Sequence, residues 1–207
     1  MNTPVKSLIG LSAVGGVAGG CYAISQQLST KSINDKLKDN GYKILTDSSG
    51  DWGKILAQYK LVATGNSALK FAGVTIESEA NLQEQCKKVL KESSSNSDSY
   101  NRGAKWCTVP RDMKDMLKSK GYRFLSTVNN TDNIDQSEWN ARLNAHNDDT
   151  KNEKFTISPT SGNKLTHVKG DRDKMRDACR PLEAKKHYEQ NFEADLKKAM
   201  LWCSEPN

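Results

Sequence analysis

The side chains here with the widest chemical reach are five cysteines and three histidines. A thiolate nucleophile needs an imidazole beside it in space to take its proton. Cys179 and His187 stand eight residues apart, a spacing that specifies no such pair, and the simplest reading of His146, His167 and His187 is as exposed polar side chains. Structural zinc is held by close ligand pairs such as CxxC. The chain has none, and its histidines all fall between 146 and 187, so no metal set can be assembled twice. No cofactor, metal or catalytic residue is therefore assigned. GxGxxG after a strand, a Walker loop, GxSxG and HExxH are all missing, which removes the commonest phosphate, hydrolase and metalloprotease chemistries.

What remains for the cysteines is structure. Cys107 and Cys203 each follow a tryptophan in a closing block, Trp106 to Pro110 and Trp202 to Pro206, and Cys86 and Cys179 precede them by 21 and 24 residues. Four cysteines allow three pairings. Cys86 with Cys107 and Cys179 with Cys203 is preferred, because a duplicated segment would copy an internal bond.

The duplication itself is read from a series of offsets. Asp35 to Lys38 and Gly41 to Leu45 recur 80 residues later as Asp115 to Lys118 and Gly121 to Leu125. Asp51-Trp52 returns as Glu138-Trp139 at 87, Leu82 and Cys86 as Met175 and Cys179 at 93, and the Trp-Cys close at 96. The offsets only increase, as one duplication followed by insertions would leave them. All four tryptophans and four of the five cysteines sit in these blocks, so what is repeated is core and staple rather than catalyst.

The elements that carry these residues read as helices. Ser32 is an N-cap with Asp35 three residues on, and Gly41 stops the turn. Trp52, Ile55, Leu56 and Tyr59 share a face of a second helix; Leu82, Cys86, Val89 and Leu90 share one on a third, about 78–91. A last helix, about 187–203, carries Tyr188, Phe192, Leu196, Ala199 and Met200. Ser93 to Ser99 (SSSNSDS) reads as an exposed loop, Pro181 as an interruption, and 144–170 as mostly polar connection, with a small hairpin conceivable at 156–165. The segment after Gly41 is too short to separate loop from strand. The fold class is thus mainly α with at most minor β, organised as an N-terminal segment 1–30, a first unit 31–110 and a second unit 111–207.

Residues 1–30 contain one charge, Lys6, and an apolar run over residues 7–24. Eighteen helical residues span about 27 Å, close to a hydrocarbon core of about 30 Å. The preferred reading is an uncleaved signal anchor inserted through the bilayer by residues 7–24, single-pass, with 31–207 extracytoplasmic. Two alternatives stand beside it: cleavage before Cys21, and lipidation of Cys21 after such a cut, since Ala18-Gly19-Gly20-Cys21 resembles a lipobox with an alanine where a larger aliphatic residue is usual. Five of the fourteen glycines lie here, some at the four-residue spacing of packed membrane helices.

Thirty-one basic residues against 25 acidic ones give +6, spread along the chain with no Arg-rich run or aromatic-basic alternation. Nucleic acid is not an expected partner; a weak polyanion binder is the most that charge supports. Mean hydropathy is −0.76, so units of this size bury little and need staples or each other.

A Gly-rich apolar N-terminus, a Lys- and Ser-rich helical body and a Trp-Cys close together resemble the large paralogous families of uncharacterised membrane-anchored surface proteins of haemotropic mycoplasmas. The resemblance implies cell-surface display, a host or cell-surface protein as partner, and no catalytic residue. The expected function is a membrane-anchored, non-enzymatic surface protein presenting loops such as 93–99 and 144–154. An extracytoplasmic hydrolase with a site between the units, using Cys179, His187 and a carboxylate, is the alternative.

Overall fold

The computed structural model describes residues 31–129 and 134–207. The expectations for the segment 7–24 and for Cys21 lie outside the described residues. Among the described residues no helix is long and apolar enough to cross a membrane.

Eight helices dominate: α1 Ile33–Asp39, α2 Trp52–Gly65, α3 Glu79–Val89, α4 Ser97–Trp106, α5 Met113–Ser119, α6 Gln136–His146, α7 Lys169–Glu183 and α8 Phe192–Trp202. Two three-residue strands, β1 Tyr122–Phe124 and β2 Ser204–Pro206, pair antiparallel with Phe124 opposite Ser204. The helix starts follow local chemistry. Ser32 and Asp112 cap α1 and α5 by accepting from the amides of Asp35 and Asp115, and Ser78 and Asn81 form a reciprocal capping box on α3. Both α1 and α5 stop at a left-handed glycine, Gly41 at φ 77° and Gly121 at φ 80°, a conformation that a Cβ disfavours.

Buried apolar side chains fall into two clusters. The first gathers α1 to α4 around Trp52, Ile55, Leu82 and Trp106, and takes in Tyr188. The second gathers α5 to α8 around Trp139, Leu143, Met175 and Trp202. Each indole N–H finds a carbonyl, as a buried tryptophan requires: Trp52 on Thr46, Trp106 on Leu69, Trp139 on Ser126 and Trp202 on Glu153, at 2.8 to 3.2 Å.

Connections outside the helices match between the clusters. Ser32 bridges Ser93 as Asp112 bridges Lys186, and Ile44 bridges Thr108 as Phe124 pairs with Ser204. The Leu45 amide donates to the Cys107 carbonyl, and the Leu125 amide to that of Cys203. The segment after Gly41 is therefore extended where it meets the closing block.

Four local expectations need correction. The SSSNSDS run is a loop only to Asn96, whose side chain accepts from the Ser99 amide and starts α4; Ser99 is buried. Pro181 lies inside the last turn of α7, where the missing N–H leaves the Asp177 carbonyl without its helical donor. The last helix begins at Phe192; residues 187–191 form a turn, with Asn191 at φ 61°. The 156–165 segment forms no strand and is organised by Asp171, fully buried, which accepts from the amides of Thr160 and Thr166 and from the Thr166 hydroxyl. Burial pushes the Asp171 carboxyl up, but these donors outweigh it and hold it below the usual carboxylate range.

Gly103 marks the closest approach of α4 to α1: a Cβ there would sit 3.0 Å from Cγ2 of the buried Ile33. Helix propensity alone favours alanine by about 1 kcal/mol, whereas overpacking costs about 1–3 kcal/mol. Gly103→Ala is expected to lower the urea midpoint; a rise would show that α1 yields.

Candidate functional site at the seam between the cores

The four described cysteines are buried and paired. Cys86 is bonded to Cys107 and Cys179 to Cys203, with Cα separations of 5.4 and 5.6 Å. Both bonds tie the last helix of a cluster to the one before it, α4 to α3 and α8 to α7, and all four residues are buried. Closing loops of 21 and 24 residues contributes about 3 kcal/mol each in the chain-entropy model. Cys179 thus has no free thiol, and its sulfur belongs to the second core. His187 packs elsewhere. The structure does not bring together the thiol, imidazole and carboxylate that nucleophilic catalysis would use.

Among the described residues no group of three or more His, Cys, Asp or Glu stands where it could hold a metal ion. His146 meets the Phe155 carbonyl at 3.0 Å and lies edge-on to Trp202. Burial pushes its pKa down. His167 meets Asn144 Oδ1 at 2.8 Å on the surface.

One concave site is a cleft of about 490 Å³ between the clusters, lined by Tyr42, Leu69, Tyr100, Lys105, His187 and Glu193 among others. Lys105 projects from α4 with its side chain 4% exposed. Its ammonium donates to the carbonyls of His187 (3.1 Å) and Glu189 (3.4 Å) and to the Glu193 carboxylate (3.1 Å). Desolvation lowers its pKa, and Glu193 partly opposes this. A desolvated amine can serve as a nucleophile, yet the donors here are already engaged.

His187 is 5% exposed, not the surface side chain the sequence suggested. Its backbone N–H donates to the Arg111 carbonyl at 2.9 Å. The Arg111 amide in turn donates to Nδ1 at 3.0 Å, which fixes the proton of the neutral ring on Nε2, 3.1 Å from both the Ala104 carbonyl and Thr108 Oγ1. Burial first, then the charge of Lys105, push its pKa down to about 4. Tyr188 beside it enters the first core, while Lys186 remains tied to Asp112 at the start of α5 at 3.4 Å. Residues 186–189 therefore act as a plug from the second cluster seated on the first.

No family model, no curated protein and no solved structure matches this chain.

In the sequence Tyr188 reads on the apolar stripe of the last helix and Thr108 within the closing block, neither as part of a seam, and Lys105 carries no pattern. Lys105 immediately precedes the conspicuous Trp106, and its burial depends on carbonyls more than 80 residues away.

Removing Lys105 takes the ammonium donor from the His187 carbonyl and leaves that of Glu189 with the Phe192 amide at 3.4 Å, whereas Glu193, with its side chain 67% exposed, can return to water. Lys105→Met is expected to cost about 2–3 kcal/mol and Glu193→Gln under about 1 kcal/mol, read by urea denaturation; equal losses would show that the ion pair rather than the carbonyl contacts holds the seam. Replacing Cys86 and Cys107 together by serine is expected to cost about 3 kcal/mol, and unchanged thermal stability would remove the staple role.

Proposed function

We propose that residues 31–207 are a non-enzymatic interaction module displayed outside the cytoplasm, tethered by residues 7–24 crossing the bilayer once, and built by duplicating one four-helix unit. The observation that carries this reading is the pair of buried disulfides, one in each core. Such bonds persist in oxidising compartments and are rare in the cytosol, so they favour placing the fold beyond a membrane. The apolar, nearly uncharged stretch before residue 31 supplies the means.

Two further observations support the reading. The matching bridges relate Ser32 to Asp112 at an offset of 80 and Ser93 to Lys186 at 93, the offsets at which the sequence blocks recur. They support units near 31–110 and 111–207. Lys105, His187 and Glu193 in the cleft are already engaged with one another, which favours binding at the surface over chemistry inside. The exposed residues 148–153 offer a contact surface, and the resemblance to mycoplasma surface families points to a host or cell-surface protein as partner.

Protease treatment of intact cells expressing the full chain is the test. Peptides from 148–153 are expected in the released fraction, with Cys86–Cys107 and Cys179–Cys203 pairs in non-reducing mass spectrometry and the remainder in the carbonate-washed membrane pellet. Cleavage only after lysis would overturn the topology.

A further inference from the structure

The plug at residues 186–189 joins two cores that are each closed by their own disulfide. It contributes one residue, Tyr188, to the first core, and its other ties to that side are polar. One of them is His187 Nε2 to the Ala104 carbonyl; the ring is held in that position by the connection before α5, where the Arg111 amide donates to Nδ1 and the Arg111 carbonyl accepts from the His187 N–H.

We propose that this seam is an acid-operated latch, in which protonation of His187 releases the 186–189 turn from α4 and opens the cleft while both cores stay folded. The geometry is one-sided. Nδ1 accepts from a backbone amide, so a proton placed there would set donor against donor. The charges facing the ring are also unfavourable. From α4 comes the Lys105 ammonium; from the connection before α5 comes Arg111, whose guanidinium lies over the Tyr42 ring 5.4 Å away, with that ring edge-on to His187. On the plug itself, Lys186 pairs with Asp112. Glu193 at the start of α8 is turned to Lys105, and the Glu189 side chain accepts from the Lys186 amide. Tyr42 and Tyr188 are phenols whose burial raises their pKa, so both are neutral. Among the described residues no carboxylate hydrogen-bonds the imidazole.

The sign follows from linkage. In the docked seam His187 titrates at about 4 instead of 6.5. The released turn, taken at the ordinary value, binds the proton first, so docking is complete above pH 6.5 and weakens as pH falls towards 4. The released-to-docked ratio rises by at most about tenfold per pH unit in that window, and by about 15-fold from pH 6.5 to 5.

The experiment is native-state amide exchange by NMR on the full chain in detergent micelles. The opening constants at the Arg111 and His187 amides, which hold the ring in the seam, are expected to rise about 15-fold between pH 6.5 and 5. Those at Cys107 and Leu125, inside the cores, should stay level. His187→Gln should abolish the rise, and His146→Gln should retain it. An unchanged seam at pH 5, or an equal rise at the core amides, overturns the latch. Should the His187 variant not fold, the imidazole ¹⁵N titration of the unaltered chain decides: a midpoint well below 6 supports the latch, and one near 6.5 overturns it.

Discussion

The bond between Cys86 and Cys107 closes α4 onto α3, and that between Cys179 and Cys203 closes α8 onto α7. Each lies beside a tryptophan that is at most 2% exposed. With only 35% of residues hydrophobic, four short helices bury too little to hold one another by packing alone. Tying the last helix in place lets Trp106 and Trp202 act as fixed walls against which the other side chains pack. The closing block then runs on as an extended segment and meets the chain that follows the left-handed glycine. Caps, glycine stop, tryptophan and disulfide thus form one circuit in each cluster.

The seam rests on different physics. Little apolar surface joins the clusters beyond Tyr188, and the contact is carried by a buried ammonium, a neutral imidazole and backbone carbonyls. Such groups are costly to bury unless nearly every donor is used. Lys105 and His187 meet that condition only together, since the ammonium binds the carbonyl of the residue whose ring binds Ala104. Alignment of the clusters is consequently specified by hydrogen-bond direction more than by area.

That division explains what the sequence could disclose. Helical periodicity, Ser32 as a cap, Gly41 and Gly121 as stops and the cysteine positions all express interactions within about 25 residues or repeated in register. The Lys105 contact has no such signature: nothing near it marks a lysine that will lose its water, and His187 reads as polar until the Arg111 amide is placed against it. Asp171 was similarly hidden, because its partners Thr160 and Thr166 lie in a segment without periodicity. The start of α4 was missed for a local reason, a serine-rich stretch in which Asn96 is the cap that matters.

The plug also fixes how two alike units would sit. At the offset of 96, Lys105 corresponds to Leu201, and the first is buried under the plug whereas the second is 48% exposed. A two-fold arrangement would cover both positions equally. Under the duplication reading the units are instead related head to tail, with one end of the pair occupied and the other bare. Polarity of that kind frees the two descendants of one segment to drift apart, because each faces a different neighbour.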